Sequence, residues 1–129
     1  MEHLEQEQLH HKEIATTILN QFGGHMALML IGGKPAMGAS DGNKNSVVSV
    51  GNEGDTVVDI KFEGTANEIE GVHPNVVRII YCLSSDTYRM IFFRAVENTA
   101  VVLKEFDDVY CDMLQSLFED TTGLFLYFK

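Results

Sequence analysis

Residues 75–96, NVVRIIYCLSSDTYRMIFFRAV, decide how the rest of the chain is interpreted. Val, Ile, Tyr and Phe dominate the two halves of this segment, and the polar residues 84–86 separate them. β-Branched and aromatic side chains favour extended strands, and a short polar interruption between two such runs is typical of a tight turn. The segment therefore predicts a β-hairpin, with one strand at 75–83 and the other at 87–96.

Further strands are predicted on both sides of the hairpin. In residues 58–62 apolar side chains alternate with charged ones, which is the pattern of a strand with one solvated face. Residues 99–103 supply another strand after the hairpin. The apolar runs 25–31 and 46–50 are interpreted as two short strands, and the glycine-rich segment 32–45 between them as a loop.

Helices are predicted at both ends of the chain. Residues 4–22 carry apolar side chains at four-residue spacing, which gives a helix one apolar stripe. A second helix is capped by Asp107 or Asp108 and ends at residues 121–123. The apolar residues 124–128 are expected to form a final strand or a docked tail.

These elements define an α+β fold. It has an N-terminal helix, five to six mostly antiparallel strands and a C-terminal helix, with the helices packed on one face of the sheet. The 129 residues, 45% of them hydrophobic, suffice for one core. Neither a repeat nor a linker divides the chain, so residues 1–129 are expected to form a single domain in which residues 1–8 fray.

The sequence also bears on where the protein works. No apolar stretch approaches the roughly 18 residues that a membrane helix needs, so no membrane partner is expected. The N-terminal residues are acidic and rich in histidine, unlike a basic and apolar signal peptide. A cytoplasmic protein with reduced Cys82 and Cys111 is therefore expected.

The charge balance is strongly acidic, with 19 Asp and Glu against 9 Lys and Arg and a formal net charge of −10. Such a surface disfavours general attraction to nucleic acid, because neutralising phosphates requires clustered Lys and Arg. Spaced carboxylates can instead attract a basic protein partner. Acidic runs lie at 53–70 and 105–120, and the first supplies the candidate partner-binding residues. These are Glu53, Asp55, Asp59, Glu63, Glu68 and Glu70.

The alternative function is binding of single-stranded nucleic acid by the hairpin. Its arginines are interleaved with Tyr and Phe, and such a sheet face can hold a single strand by phosphate contact and base stacking. The candidate residues are Lys34, Arg78, Arg89 and Arg94. Arg89 and Arg94 are five residues apart, so a regular strand directs them to opposite faces of the sheet.

No catalytic or metal-binding constellation emerges from the sequence. His10 and His11 are adjacent, so a helix points them in different directions, and no histidine pair has four-residue spacing. Cys82 lies in an apolar strand and Cys111 beside aspartates, which disfavours a reactive thiolate. The glycines and lysine of 32–35 lack the spacing of a phosphate-binding loop. The chain is therefore expected not to be an enzyme and to need neither a cofactor nor a metal.

Three segments resemble a family of small proteins encoded by bacteriophages and other mobile elements. The first, ILNQFGG at 18–24 followed by MLIGGK at 29–34, is similar to the family's ILxQLGG and MTGAK. The second joins VRI at 77–79 to DTYRMIFFR at 86–94, similar to the family's VRI and DxYxVxFxR. The third and most specific is DVYCDML at 108–114.

The resemblance spans residues 18–124 with one gap. Between Lys34 and Asn75 the chain is longer and more acidic than the family pattern and lacks its Thr-Gly-Ala core. The resemblance implies a phage or prophage accessory protein acting inside a bacterial cell, and it carries over no catalytic residue. With the acidic runs, it predicts a non-enzymatic protein that binds a host or phage protein, such as a DNA mimic or an anti-defence inhibitor. Open edge strands and the aromatic C-terminus also make a homodimer a candidate arrangement.

Overall fold

The fold is described by a computed structural model that covers residues 2–63 and 66–127, with the backbone alone for residues 2–7. The helices within these residues are α1 (Glu2–Phe22), α2 (Gly24–Ile31) and α3 (Leu114–Thr122), and a short 3-10 turn at Cys111–Met113 precedes α3. The strands are β1 (Lys34–Ala39), β2 (Thr56–Lys61), β3 (Val76–Cys82), β4 (Thr87–Val96) and β5 (Thr99–Val109). They form one antiparallel sheet in the order β1-β2-β3-β4-β5. The predicted α+β fold is confirmed.

The hairpin of β3 and β4 lies in the middle of the sheet, as its sequence predicted. Its strands pair in register from Val76 opposite Phe93 to Cys82 opposite Thr87. In the turn, Asp86 adopts a left-handed backbone with φ 53°, which aspartate tolerates better than most residues. Successive side chains along each strand point to opposite faces, so the sheet can support a core on either side.

The main core lies on the face of the sheet that the helices cover. Phe118 of α3 sits between Phe22 of α1 and Phe62, with ring centroids 5.0 and 5.3 Å away in edge-to-face geometry. Ala27 and Ile31 of α2 belong to the same buried cluster. Aromatic pairs of this geometry add to the energy of apolar burial, so Phe118 fixes both terminal helices to the sheet.

A loop, rather than a helix, covers the middle of the opposite face. Residues 40–55 cross this face and bury the apolar side chain of Val48 on it, which forms a second, smaller core with four sheet residues. The members of that core are Val48, Val76, Ile80, Ile91 and Phe93. Arg78 donates hydrogen bonds of 3.1 Å to the backbone carbonyls of both Val48 and Ser49, so it fixes the loop to the sheet.

The helices α1 and α2 meet at a sharp bend. The segments Gln8–Phe22 and Gly24–Ile31 are bent by 68° relative to each other. Gly23 has φ 127°, a conformation that favours glycine, and a Cβ at this position would lie 2.6 Å from the Cβ of Ala27. Within the described residues no single helix is long and apolar enough to span a membrane, and these two meet that criterion only when taken together.

Three predictions upstream of β2 are wrong. The apolar run 25–31 forms the helix α2, because so short a run has no periodicity that separates a buried strand from a buried helix. The predicted loop 32–45 contains β1, an edge strand whose exposed, mostly small residues give no strand pattern. Residues 46–50 form no strand and belong instead to the covering loop.

The boundary between β5 and the last helix also differs from the prediction. β5 continues to Val109, so Asp107 and Asp108 lie in a strand and do not cap a helix. Aspartates before an apolar helical stripe are a common capping signal. Here they lie where β5 shifts register against β4, between the partners of Tyr88 and Met90.

The sequence also predicts a frayed start of the chain and a final strand or docked tail at its end. Leu126 is buried in the main core, and its N–H donates to the Glu119 carboxylate at 2.9 Å. Residues 123–127 form no strand, so they are a docked tail, whereas Phe128 lies outside the described residues. Fraying is predicted for residues 1–8. Met1 and the side chains of residues 2–7 lie outside the described part of the chain.

Candidate binding site

A cleft of about 470 Å³ opens between α1 and the turn of the β3–β4 hairpin. Tyr81 and Tyr88 form its floor; they lie opposite each other in the hairpin, with ring centroids 5.7 Å apart. We call this feature the tyrosine cleft. Its other principal lining residues are His10, Glu13, Thr17, Gln21, Leu83 and Asp86.

The position of α1 follows from its apolar stripe and from one polar contact. Ile18 and Phe22 are buried in the main core, which turns the neighbouring flank of the helix toward the hairpin. His11 Nδ1 lies 2.6 Å from the hydroxyl oxygen of Thr56 in β2. This contact holds the N-terminal half of α1 beside the sheet and thereby forms one wall of the cleft.

Both tyrosine hydroxyls are engaged inside the cleft. The Tyr88 hydroxyl donates to Gln21 Oε1 at 2.7 Å, and the Tyr81 hydroxyl donates to Asp86 Oδ1 at 2.6 Å. The hydrogen bond to Asp86, together with burial and the Asp86 charge, raises the pKa of Tyr81 to about 12. Burial raises the pKa of Tyr88 as well. Both hydroxyls are therefore engaged, and the ring of Tyr81 is the larger surface left for contact, because Tyr88 is buried.

Substituting Asp86→Asn is expected to lower the pKa of Tyr81 from about 12 toward its ordinary value of 10.0, because a neutral amide replaces the carboxylate acceptor. The tyrosinate absorbance of the two proteins between these pH values measures the shift. The phenol ionises at lower pH in the unfolded chain than in the folded one. Its contribution to stability is thus complete below pH 10.0 and is lost as the pH rises through about 12.

The control for this titration is Tyr81→Phe, which removes the group itself. The free energy of unfolding of this variant should decline less steeply above pH 10.0 than that of the unsubstituted protein. Identical slopes, or a tyrosinate titration that Asp86→Asn does not move, would contradict the hydrogen bond between Tyr81 and Asp86.

Further carboxylates gather at the same end of the sheet. β5 runs antiparallel to β4 and places Val109 opposite Tyr88, so the aspartates around the end of β5 arrive beside the hairpin turn. Burial raises the pKa of the Cys82 thiol, the nearby charges of Asp55, Asp107 and Asp108 raise it further, and Arg89 lowers it. We call the exposed carboxylates that converge here the acidic end. Its members are Glu13, Asp86, Asp107, Asp108 and Asp112.

One arginine, Arg89, reaches this region, and side chains of the same protein already bind its guanidinium group. Arg89 Nε lies 2.8 Å from Asp107 Oδ1 and Arg89 Nη2 lies 3.7 Å from Glu105 Oε1, while Nη1 donates to the Ser49 hydroxyl at 2.9 Å. Within the described residues no cation pairs with Glu13 or Asp86. Glu13 and Asp86 thus keep a negative charge at the tyrosine cleft, whereas Asp107 is paired with Arg89 on the loop-covered face.

Two of the predicted acidic candidates are used by the fold. Asp55 is 3% exposed and accepts hydrogen bonds from the backbone N–H groups of Asn52 and Leu83, at 2.9 and 3.1 Å. Asp59 accepts from Arg78 Nε at 2.7 Å and from Nη2 at 2.9 Å. Assigning Asp55 to an exposed surface was wrong, because its carboxylate satisfies the turn that precedes β2. Asp59 is likewise committed to Arg78.

The other four acidic candidates are exposed but do not form one surface. Glu53 precedes β2 and Glu63 follows it, so the length of a strand separates them. Glu68 lies 3.3 Å from His73 Nε2, and Glu70 follows in the same connection to β3. Proximity in the sequence suggested a single acidic face, whereas the antiparallel meander spreads these residues over the molecule.

The nucleic-acid candidates do not meet on an open face. Arg78 lies under the covering loop, with its guanidinium 5.6 Å from the centroid of the Phe93 ring, and Arg89 contacts the same loop. Arg94 donates to the His73 carbonyl at 3.1 Å, in a segment that packs beside α3. Lys34 is exposed at the start of β1.

The aromatic residues of that hairpin are equally committed. Tyr88, Phe92 and Phe93 are each less than a tenth exposed, because helices cover one face of the sheet and the loop covers the other. The described residues therefore lack the exposed arginine and aromatic sheet face that the alternative function requires. Arg89 and Arg94 do point to opposite faces, as their spacing predicted.

The tyrosine cleft was missed in the sequence, although part of its signal was present. Tyr81 and Tyr88 flank the predicted turn symmetrically, which is the arrangement of a cross-strand pair. No sequence pattern predicts that these tyrosines lie close to α1, because this distance depends on how the helix packs. Within the described residues, no group of three or more His, Cys, Asp or Glu side chains is placed to hold a metal ion.

Comparison with known proteins adds no assignment to this geometry. No family model, curated protein or solved structure matches the chain. The protein is an α+β protein with a cleft that is lined by two tyrosines and two carboxylates.

Proposed function

We propose that this protein is a non-enzymatic binding protein that engages a basic surface of a protein partner through the acidic end. The observation that carries the proposal is a pair of carboxylates, Glu13 of α1 and Asp86 of the hairpin turn, that line one cleft and pair with no cation among the described residues. Further carboxylates lie around the end of β5 at the same end of the sheet. Complementary charge steers association and selects partners.

The surroundings of the acidic end suit a protein interface. Leu83 is 55% exposed in the hairpin turn and Tyr110 is 58% exposed after β5, so apolar and aromatic surface accompanies the carboxylates. Tyrosine is enriched at interfaces because it offers a large apolar face and a polar tip. A purely solubilising charge cluster needs neither side chain.

A nucleic-acid-binding protein of the host or of a phage presents the kind of surface that this proposal requires. Its Lys and Arg residues are spaced to meet phosphates, and carboxylates spaced around a cleft can meet them instead. An inhibitor of this kind, acting in the bacterial cytoplasm, agrees with the resemblance of three segments to small mobile-element proteins. The accessory role that the resemblance implies is therefore assigned to the acidic end.

The test compares two triple variants that change the net charge equally. Glu13→Gln, Asp86→Asn and Asp112→Asn neutralise the acidic end, whereas the control is neutralised in the acidic run 53–70. The control substitutions are Glu53→Gln, Glu63→Gln and Glu68→Gln. Each protein is immobilised, exposed to a bacterial lysate and washed at rising salt, and the captured proteins are quantified by mass spectrometry.

The unsubstituted protein and the control should retain the same basic proteins and release them as salt rises, because screening weakens surface charge interactions. The acidic-end variant should lose them. Equal capture by both variants would contradict the proposal, and selective loss in the control would move the interface to residues 53–70. Salt-sensitive binding of a labelled single-stranded oligonucleotide would replace the proposal with the nucleic-acid function.

A further inference from the structure

We infer that the tyrosine cleft is a receptor for the guanidinium group of an arginine side chain that the protein partner inserts. The inference rests on the proposed function, because the partner supplies the arginine. It names the chemical group that the protein recognises on its partner and places the contact in the tyrosine cleft.

The floor of the cleft offers the partly exposed aromatic ring of Tyr81, with the buried Tyr88 beside it. Because the hydroxyls of Tyr81 and Tyr88 already donate to Asp86 and Gln21, a ligand meets ring surface, most of it on Tyr81. The face of an aromatic ring is electron-rich and attracts a cation. A planar guanidinium can stack on such a face, which a compact ammonium cannot do.

The rim of the cleft offers negative charge from two sides. Glu13 stands on α1 and Asp86 in the hairpin turn, and neither pairs with a cation among the described residues. Asp86 uses Oδ1 for the Tyr81 hydroxyl, and its Oδ2 has no hydrogen-bond partner in the described part of the chain. Of the lining residues only His10 can carry a positive charge, so an anionic ligand is disfavoured.

The protein already holds one of its own arginines in this way. Arg78 Nε lies 2.7 Å from Asp59 Oδ1, and the guanidinium sits 5.6 Å from the centroid of the Phe93 ring. The tyrosine cleft has the same two components, a carboxylate and an aromatic face, without the arginine. At about 470 Å³ it also has room for the backbone on either side of an inserted side chain.

The experiment titrates the full chain with the peptide acetyl-Gly-Arg-Gly-amide, followed by the NMR shifts of the Tyr81 and Tyr88 ring protons. The matched probe is the same peptide with citrulline in place of arginine, which keeps the shape and removes the charge. The variant is Glu13→Gln with Asp86→Asn, and the control variant is Glu53→Gln with Glu63→Gln. Thermal unfolding establishes that both variants are folded.

The arginine peptide should shift both rings saturably, and the citrulline peptide should bind about tenfold more weakly or not at all. Substituting Glu13→Gln and Asp86→Asn should weaken the affinity for the arginine peptide by about tenfold or more. The control variant should bind this peptide as tightly as the unsubstituted protein does. Equal binding of the two peptides, unchanged affinity in the cleft variant, or ring shifts that do not saturate would each overturn the inference.

The two proposals fail separately. Capture of basic proteins through the acidic end, without peptide binding in the cleft, would overturn the arginine receptor and leave the proposed function supported. Specific peptide binding by a protein that captures no basic partner would support the receptor and overturn the proposed function.

Discussion

An Arg78→Ala protein is expected to lose about 3 kcal/mol of its free energy of unfolding, because it removes one partner of a partly buried ion pair and two further hydrogen bonds. The Arg78 side chain is 15% exposed and Asp59 is 32% exposed. The substitution also orphans the carbonyls of Val48 and Ser49. The melting temperature should fall by roughly 10 °C, as followed by circular dichroism.

The control for this effect is Arg89→Ala, on the same face of the sheet. Arg89 pairs with Asp107, whose side chain is 69% exposed, and exposed ion pairs contribute about 1 kcal/mol or less. Amide hydrogen exchange should also speed up in residues 40–55 of the Arg78 variant alone, because its side chain anchors this loop. If the two variants were equally stable, Arg78 would not have the structural role assigned to it.

The second large effect is expected for Phe118→Ala. Phe118 is fully buried, and its ring contacts those of Phe22, Phe62 and Phe92. Truncating a buried phenylalanine removes apolar burial and leaves a cavity, which costs about 3–5 kcal/mol. Unfolding in urea measures the loss.

Phe125→Ala is the matched control, because it removes the same atoms from a position that is 47% exposed. Its cost should stay well below that of Phe118→Ala, in proportion to the smaller area removed from water. A comparable loss in both variants would show that the two terminal helices are not held through Phe118.

The sequence predicted the elements whose pattern is local. The alternation of charged and apolar residues at 58–62 and the polar turn at 84–86 each specify a strand or a turn without reference to the rest of the chain. The helix α2 was mistaken for a strand because six consecutive apolar residues, 26–31, fit either structure. β1 was missed because an exposed edge strand of small residues has no apolar face to display.

The candidate site was the least predictable part, since it depends on packing. Glu13 and Asp86 are far apart in the chain, and only the docking of α1 beside the hairpin places them on one cleft. Conversely, Glu53 and Glu63 are close in the chain and separated by a strand. Asp55 and the sheet arginines were candidates for binding because their residue types suit it, whereas burial and neighbouring polar groups commit them to the fold.

The order of the strands has a consequence for synthesis of the chain on the ribosome. Because each strand pairs with its neighbour in the sequence, the sheet can lengthen one strand at a time as the residues emerge. The first helix can pack early against α2 and the first two strands, but its Phe22 meets Phe118 only after nearly the whole polypeptide has been made. The part of the main core around Phe22 therefore stays incompletely covered on the nascent chain until α3 docks, which is the interval in which chaperone contact and aggregation compete.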